Sequence, residues 1–437
     1  MGMNATKYYA ICDCDSCFCS CERVFRPDLN GKPVVVLSNN DGCVVARSKE
    51  AKQLGIPMGM PYYQLAERFP GKAIGVFSSN YELYGDITQR VMEIIRSASP
   101  EFYRYSIDEA FCVLDNRPYD QLKTWGEELN QKIWKWVDMP VSIGIAPTKT
   151  LAKCADRFAK DYPAYRHCCV IDTEERRIKA LKLFPLKEVW GIGRRYLERL
   201  EGYGIHTAYD FAMKPRAWVR KELHVTGERT WLELNGIDCV PTEQLTTKKS
   251  ICTSRSFPGM IDDLLDLRTQ VSNYAARCAE KLRRQHSVCA SIMVFIDTNR
   301  FRTDLPQYSN SAMEVLLTPV NSTQEVVDGA LKALKRIFIK GFKYKRAGVI
   351  VSAISDESLV QTNFLDYDAE KRDKLKRLTE SIDKINKLNG AETVVLGSQQ
   401  YTAVHGKGKA GSFRDAIKHD FRSHNFTTRW EDIIRVK

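Results

Sequence analysis

The sequence predicts an α+β protein of several domains, and three observations lead there. At 437 residues the chain exceeds what one hydrophobic core ordinarily serves. Its first third alternates short apolar runs with helical periodicity in the order βα, αββα, βα, which implies a sheet with antiparallel pairs rather than a doubly wound one. Set apart from that order, "GKPVVVLSNNDGCVVARS" reads as two strands joined at Asn40, Asp41 and Gly42, a short-range hairpin signal.

Residues 7–12 ("KYYAIC") are apolar enough for a buried strand, and "SCFCSCERVF" after them has helical spacing, capped by Asp15 or Ser16. "SKEAKQLG" predicts a helix that stops at Gly55, with Pro57 beyond. Over 81–98, Tyr84, Ile87, Val91, Ile94 and Ala98 form one helical stripe. "FYRYSIDEAFCVL" (102–114) reads as strand, 119–137 as helix, "VSIGIAP" (141–147) as strand and "KTLAKCADRFAK" (149–160) as helix. Short helices follow over 173–245, and a new α+β region begins at "TSRSFPGMIDD". "SDESLVQTNFLDYDAEKRDK" is polar and acidic enough for a linker, while the last eighty residues are weakly patterned.

Composition narrows the function classes. Apolar content of 43% and charged content of 27% fit a soluble globular protein, and a net charge of +12 favours a polyanionic partner, nucleic acid before an acidic membrane. No run of eighteen apolar residues predicts a transmembrane helix, and the first residues lack a signal-peptide core, so a cytoplasmic protein is expected. Its 14 cysteines are then expected as reduced thiols. Cys12, Cys14, Cys17, Cys19 and Cys21 lack a pair of C-x2-C knuckles and a nearby His, so they read as small buried hydrophobes rather than a zinc site.

Asp108 and Glu109 interrupt an otherwise apolar run. Two adjacent buried carboxylates repel and need a cation, and in a regular strand they would face opposite ways. A shared role therefore requires a bend, which splits the run into a hairpin of 102–107 and 109–114 with the acids at its tip. Asp13 and Asp15 end another strand, on one face if it stays extended. Carboxylates converging from two strand ends make a hard-oxygen cluster suited to Mg2+. With two ions, one activates an attacking hydroxyl and the other holds triphosphate oxygens, which is nucleotidyl transfer. Spacing alone leaves open that these acids are solvated turn residues.

"CDCDSCF", "SNNDGCVVARSKEAKQLGI", "SSNYELYGD", "YSIDEAFCVLD", "GIAPTKTLAK", "VWGIGRR", "SNYAARCAEKLR", "LLTP" and "IIRVK", in that order over nearly the whole chain, resemble the UmuC branch of the Y-family of translesion DNA polymerases. The resemblance implies a right-hand fold: a ferredoxin-like palm at 1–27 and 84–172, fingers at 28–83, a thumb at 173–245, a little finger at 252–356, and a linker with C-terminal extension at 357–437. It implies Asp13, Asp108 and Glu109 as catalytic acids that, with the Cys14 carbonyl, hold two Mg2+. Asp15 is expected as a helix cap. Phe18 falls at the steric gate under the incoming sugar, although Cys17 beside it replaces a larger residue of the relatives. Lys52 and Lys160 match positions that hold the triphosphate.

Gly191 and Gly193 form a tight loop before a helix, and with Arg194 they are expected to meet DNA backbone as a helix-hairpin-helix in the thumb. Residues 332–346 carry seven basic residues and no acid; Phe338, Phe342 and Tyr344 among them are expected in a core, with the cations facing phosphates. "QTNFL" resembles a sliding-clamp peptide anchored by Gln361, Phe364 and Leu365. The resemblance further implies primer-template DNA and dNTPs as substrates, a processed UmuD-like dimer and a RecA filament as partners, and a nucleoid-associated place in the cytoplasm. The competing readings are a catalytically silent DNA-binding scaffold at stalled forks and another two-metal phosphoryl-transfer enzyme.

Overall fold

The computed structural model describes residues 7–241, 248–360, 368–390, 392–399 and 419–434. The chain divides into two compact units, 1–244 with 419–437, and 245–418. In the first unit the order is β1 (Lys7–Cys14), α1 (Cys17–Val24), β2 (Val34–Leu37), β3 (Val44–Arg47), α2 (Lys49–Gln53), α3 (Tyr63–Arg68), β4 (Gly75–Ser78), α4 (Tyr81–Ala98), β5 (Glu101–Arg104), β6 (Glu109–Asp115), α5 (Tyr119–Val137), β7 (Val141–Ala146), α6 (Lys149–Asp161) and β8 (Cys168–Val170). Four helices follow: α7 (Glu174–Leu183), α8 (Arg194–Glu201), α9 (Ala208–Ala212) and α10 (Arg216–Leu234), the last broken at His224.

The main sheet runs β5-β6-β1-β7-β8, antiparallel except for β7 with β8. Alternation along β1 decides what each face packs against. Tyr8, Ala10, Cys12 and Cys14 enter a core with α1, α4 and α5, whereas Tyr9 and Ile11 face α6 and the helices after it. All five clustered cysteines of β1 and α1 are buried and free, as hydrophobes would be. Burial pushes the Cys19 thiol up to about 12.

A smaller sheet, β3-β2-β4, carries the hairpin. Its turn holds Asn40 and Asp41 at φ of 60° and 50°, a conformation that Asn and Asp tolerate better than most residues. Neither expected cap of α1 operates: Ser16 occupies the N-cap in the left-handed region with no side-chain bond to the helix, and Asp15 accepts from Ser142 Oγ at 2.8 Å. Tertiary partners outcompete the local cap.

Gly144 lets α6 lie close on the sheet. A Cβ there would stand 2.1 Å from the Ala152 carbonyl oxygen and 2.2 Å from the Asp156 nitrogen, both backbone. Gly144→Ala is therefore expected to lower stability by about 3 kcal/mol or more, at the top of the overpacking range, measurable by urea unfolding. An unchanged midpoint would refute the contact.

In the second unit β9 (Ile251–Ile261), α11 (Leu264–Arg284), β10 (Ser287–Thr298), β11 (Ser309–Val320), α12 (Thr323–Ile337) and β12 (Tyr344–Asp356) form an antiparallel sheet, β11-β10-β12-β9, with a core shared by both helices. Tyr344 is fully buried in it, and Phe338 and Phe342 pack against it, so the aromatics of the basic stretch fill the core. The sequence reading gave no helix beyond 357, yet α13 (Ala369–Asn389) forms there. Leu375, Leu378, Ile382 and Ile385 stand at helical spacing and were the overlooked signal; Arg283 to Asp383 at 2.7 Å and Arg372 to the Pro319 carbonyl at 3.1 Å hold the helix.

Candidate active site

Antiparallel register places Asp13 directly opposite Glu109, and opposite Ser142 on the other neighbour, so all three share the face toward α6. The hairpin strand before the acids ends at Arg104, not 107. The chain bends at 106–108, where Ser106 Oγ accepts the N–H of Asp108 at 3.2 Å and of Glu109 at 3.0 Å and donates to Asp108 Oδ1 at 2.6 Å. Asp108 lies in the bend and Glu109 begins β6. The Cys14 N–H donates to the Asp108 carbonyl at 3.0 Å, tying the bend to the end of β1.

Helix α6 supplies the cations. Lys160 Nζ lies 2.9 Å from Asp13 Oδ2, 2.8 Å from Asp156 Oδ2 and 4.0 Å from Asp15 Oδ1; Lys153 Nζ lies 2.6 Å from Glu109 Oε1. Burial pushes the Asp13, Asp15 and Asp156 carboxyls above the usual range while Lys160 pulls them back. Burial lowers Lys160, but Asp156, Asp13 and Asp15 outweigh it and raise the ammonium. Asp15 Oδ1 and Asp156 Oδ1 are buried without a hydrogen-bond partner. Negative charge exceeds the positive charge that holds it.

Sequence reasoning missed Lys153, Asp156 and Ser106. The first two had a signal: with Lys160 they stand at i, i+3 and i+7 along a helix otherwise rich in apolar residues.

Among the described residues, no three His, Cys, Asp or Glu side chains are gathered to hold a metal ion as they stand. The donor chemistry nevertheless fits Mg2+: carboxylates of Asp13, Asp108 and Glu109 and a backbone carbonyl are all hard oxygens, beside two buried carboxylate oxygens without a hydrogen-bond partner.

Phe18, on α1, stacks on Tyr84 at 4.7 Å with rings 16° from parallel, and Tyr81 meets it edge-on at 5.6 Å. The Tyr84 hydroxyl donates to Glu22 Oε1 at 2.6 Å. Burial pushes the Glu22 carboxyl up to about 7, against bonds from Tyr84 and Ser423. A carboxyl raised from 4.5 contributes stability that is complete below about pH 4.5 and lost as pH rises through about 7. Between about pH 5 and pH 8 the wild type is therefore expected to lose roughly 2–3 kcal/mol more than Glu22→Gln in denaturant unfolding. Parallel curves would count against it.

Lys52, on α2, reaches Ser16 Oγ at 3.5 Å, and its ammonium is pulled down by burial and by Arg47, Lys160 and Arg157. Cations from α2, β3 and α6 thus crowd one another beside the acids. Gly191 takes φ of 94°, and a Cβ there would meet Thr230 Oγ1 at 2.3 Å; Gly193 caps α8 with open space around it, and Arg194 is exposed, paired with Glu198 at 2.9 Å. Gln361, Phe364 and Leu365 lie outside the described residues.

The impB/mucB/samB family model matches residues 12–157, that family's C-terminal domain matches 248–364, and a domain of unknown function matches 376–436. Protein UmuC of Salmonella typhimurium is 40% identical, covering 98% of this chain and 100% of that protein. Protein ImpB of Salmonella typhimurium is 38% identical over 97% of this chain and 98% of that protein. DNA polymerase IV 1 of Halalkalibacterium halodurans is 27% identical over 93% and 98% respectively. Among solved structures, a Y-family DNA polymerase chimera superposes with a TM-score of 0.62 at 22% identity, covering 80% of this chain and 99% of that one.

Proposed function

The chain belongs to the impB/mucB/samB family, and from that premise we propose that it is an error-prone, DNA-templated DNA polymerase that extends primers past damaged bases in the SOS response. One observation carries the reading: the register that sets Asp13 across from Glu109, with Asp108 in the adjoining bend, under a lysine-bearing helix.

On this reading Asp13, Asp108, Glu109 and the Cys14 carbonyl hold two Mg2+, which when bound supply charge stabilisation to a transferring phosphoryl group. The residues themselves position. Lys52 and Lys160 hold the triphosphate, whose charge relieves the crowding of cations around Lys52. Phe18 lies under the sugar as the gate. Residues 1–27 and 84–172 serve as palm, 28–83 as fingers, 173–245 as thumb and 252–356 as little finger, with Gly191, Gly193 and Arg194 meeting DNA backbone. Gln361, Phe364 and Leu365 anchor a sliding clamp, and a processed UmuD-like dimer and a RecA filament complete the assembly on the nucleoid in the cytoplasm. Among the described residues no helix is long and apolar enough to cross a membrane.

Primer extension by the full chain with Mg2+ and dNTPs, on intact and abasic templates, with and without those partners, tests the reading. Extension across the abasic site is expected. DNA binding without extension under every condition would leave the silent scaffold.

A further inference from the structure

The described end of the chain returns to the first unit. Residues 419–434 pack on α1, β4 and the start of α4, more than 300 positions earlier in sequence. Phe426 stacks on Phe25 of the α1 end at 4.5 Å, and Ser78 of β4 donates its N–H to the Phe421 carbonyl at 3.1 Å. The first turn of α4 is held most densely. Its N-cap, Asn80, is fully buried and donates through Nδ2 to Ser423 Oγ at 3.1 Å and to the Ser423 carbonyl at 3.2 Å. Glu82, two residues on, accepts from Asn425 Nδ2 at 2.7 Å and from Thr428 Oγ1 at 3.3 Å.

That turn carries Tyr81 and Tyr84, the two rings against Phe18. Ring stacking alone fixes the separation of two aromatic planes but lets one slide over the other. The Tyr84 ring is pinned at its far end by its hydroxyl on Glu22 Oε1, and the same oxygen accepts from Ser423 Oγ at 3.0 Å. Glu22 is buried and its Oε2 has no hydrogen-bond partner, so the bonds from Tyr84 and Ser423 both fall on Oε1. A chain of contacts therefore runs from the C-terminal segment through Ser423, Glu22 and Tyr84 to the ring of Phe18.

We propose that residues 419–434 are a selectivity brace, with Ser423 a positioning residue that, through Glu22 and Tyr84, sets where the Phe18 ring stands under the incoming sugar. The inference rests on the polymerase reading with Phe18 as gate, and it assigns a role to the end of a stretch that matches a domain of unknown function. A 2′-hydroxyl is excluded by contact with the ring, so a ring free to shift by a fraction of an ångström admits it. The 2′-hydrogen of a deoxynucleotide gains little from the same shift. Loosening the brace should therefore act on the ribonucleotide reaction rather than on both.

The test is single-nucleotide insertion by the full-length chain opposite template dG, comparing kcat/KM for dCTP and rCTP in wild type, Ser423→Ala, Ser423→Thr and Tyr84→Phe. For Ser423→Ala the deoxy-over-ribo preference is expected to fall about three- to tenfold, the rate equivalent of one lost hydrogen bond, with the dCTP value within about twofold of wild type. Ser423→Thr keeps the hydroxyl and should restore the preference. Tyr84→Phe keeps the stacked ring, loses only the pin, and should lower the preference as well, so a misfolded Ser423→Ala would not spare the proposal. Equal losses with dCTP and rCTP would reduce the segment to a structural role and overturn it, as would unchanged preference in both variants. A wild type that inserts neither nucleotide, alone or with the UmuD-like dimer and RecA filament added, overturns the polymerase reading instead, and this inference falls with it.

Discussion

Asp108→Ala is expected to abolish templated primer extension, with kcat/KM falling by at least on the order of 10^3-fold, the scale of charge stabilisation lost with a metal-binding carboxylate. Primer-template binding should stay within about twofold, because phosphate contacts by basic residues dominate affinity for nucleic acid. The bend makes the residue a sensitive probe. Ser106 donates to Asp108 Oδ1 and accepts its N–H, so the carboxylate is aimed by local bonds that survive in Asp108→Asn. That variant keeps the shape and loses the charge, and it should be as inactive as the alanine variant. Asp115→Ala, at the far end of β6 where the side chain is 95% exposed, is the control and should extend normally. More than a tenth of wild-type activity in both Asp108 variants would remove this residue from the site.

Lys160→Ala is expected to cost about 3–5 kcal/mol of stability at about pH 8 without Mg2+, the range for removing one partner of a buried ion pair. Three carboxylates lean on this one ammonium, whose side chain is 24% exposed. Without it, His167 and Lys52 still face Asp15, but Asp13, Asp15 and Asp156 lower their mutual repulsion chiefly by taking up protons, which burial already favours. The folded variant then binds more protons than the unfolded chain, so its stability is greatest at low pH and is lost as pH rises above the ordinary carboxylate range. The deficit should shrink toward about pH 5. It should also shrink when Mg2+ is added, because the cation neutralises the same acids. Lys160→Arg should recover most of the stability. Urea unfolding at two pH values, with and without Mg2+, measures all three, and a deficit indifferent to both pH and Mg2+ would mean that Lys160 does not balance this cluster. In extension assays the alanine variant should raise KM for dNTPs.

Local signals in the sequence determined a good deal. The apolar run "KYYAIC" and helical spacing over 81–98 and 119–137 depend on neighbours a few residues away, and these elements stand where those signals put them. The adjacent acids demanded a bend and a cation, and both are present. The thiols of β1 and α1 are buried because small apolar side chains at those spacings can only face a core. What the spacing could not supply was the identity of partners. Asp15 reads as a cap by local rules, and only the pairing of β1 with β7 brings Ser142 to it instead. Lys153 and Lys160 reach the acids because Gly144 lets a helix lie against the sheet, a contact decided by packing. Ser423 meets Glu22 across 401 positions. No periodicity extends over such a distance, because periodicity records only how one element faces its own core. Tertiary packing alone decides which distant polar groups share a buried space, and there each must find its partner or stay charged at a cost.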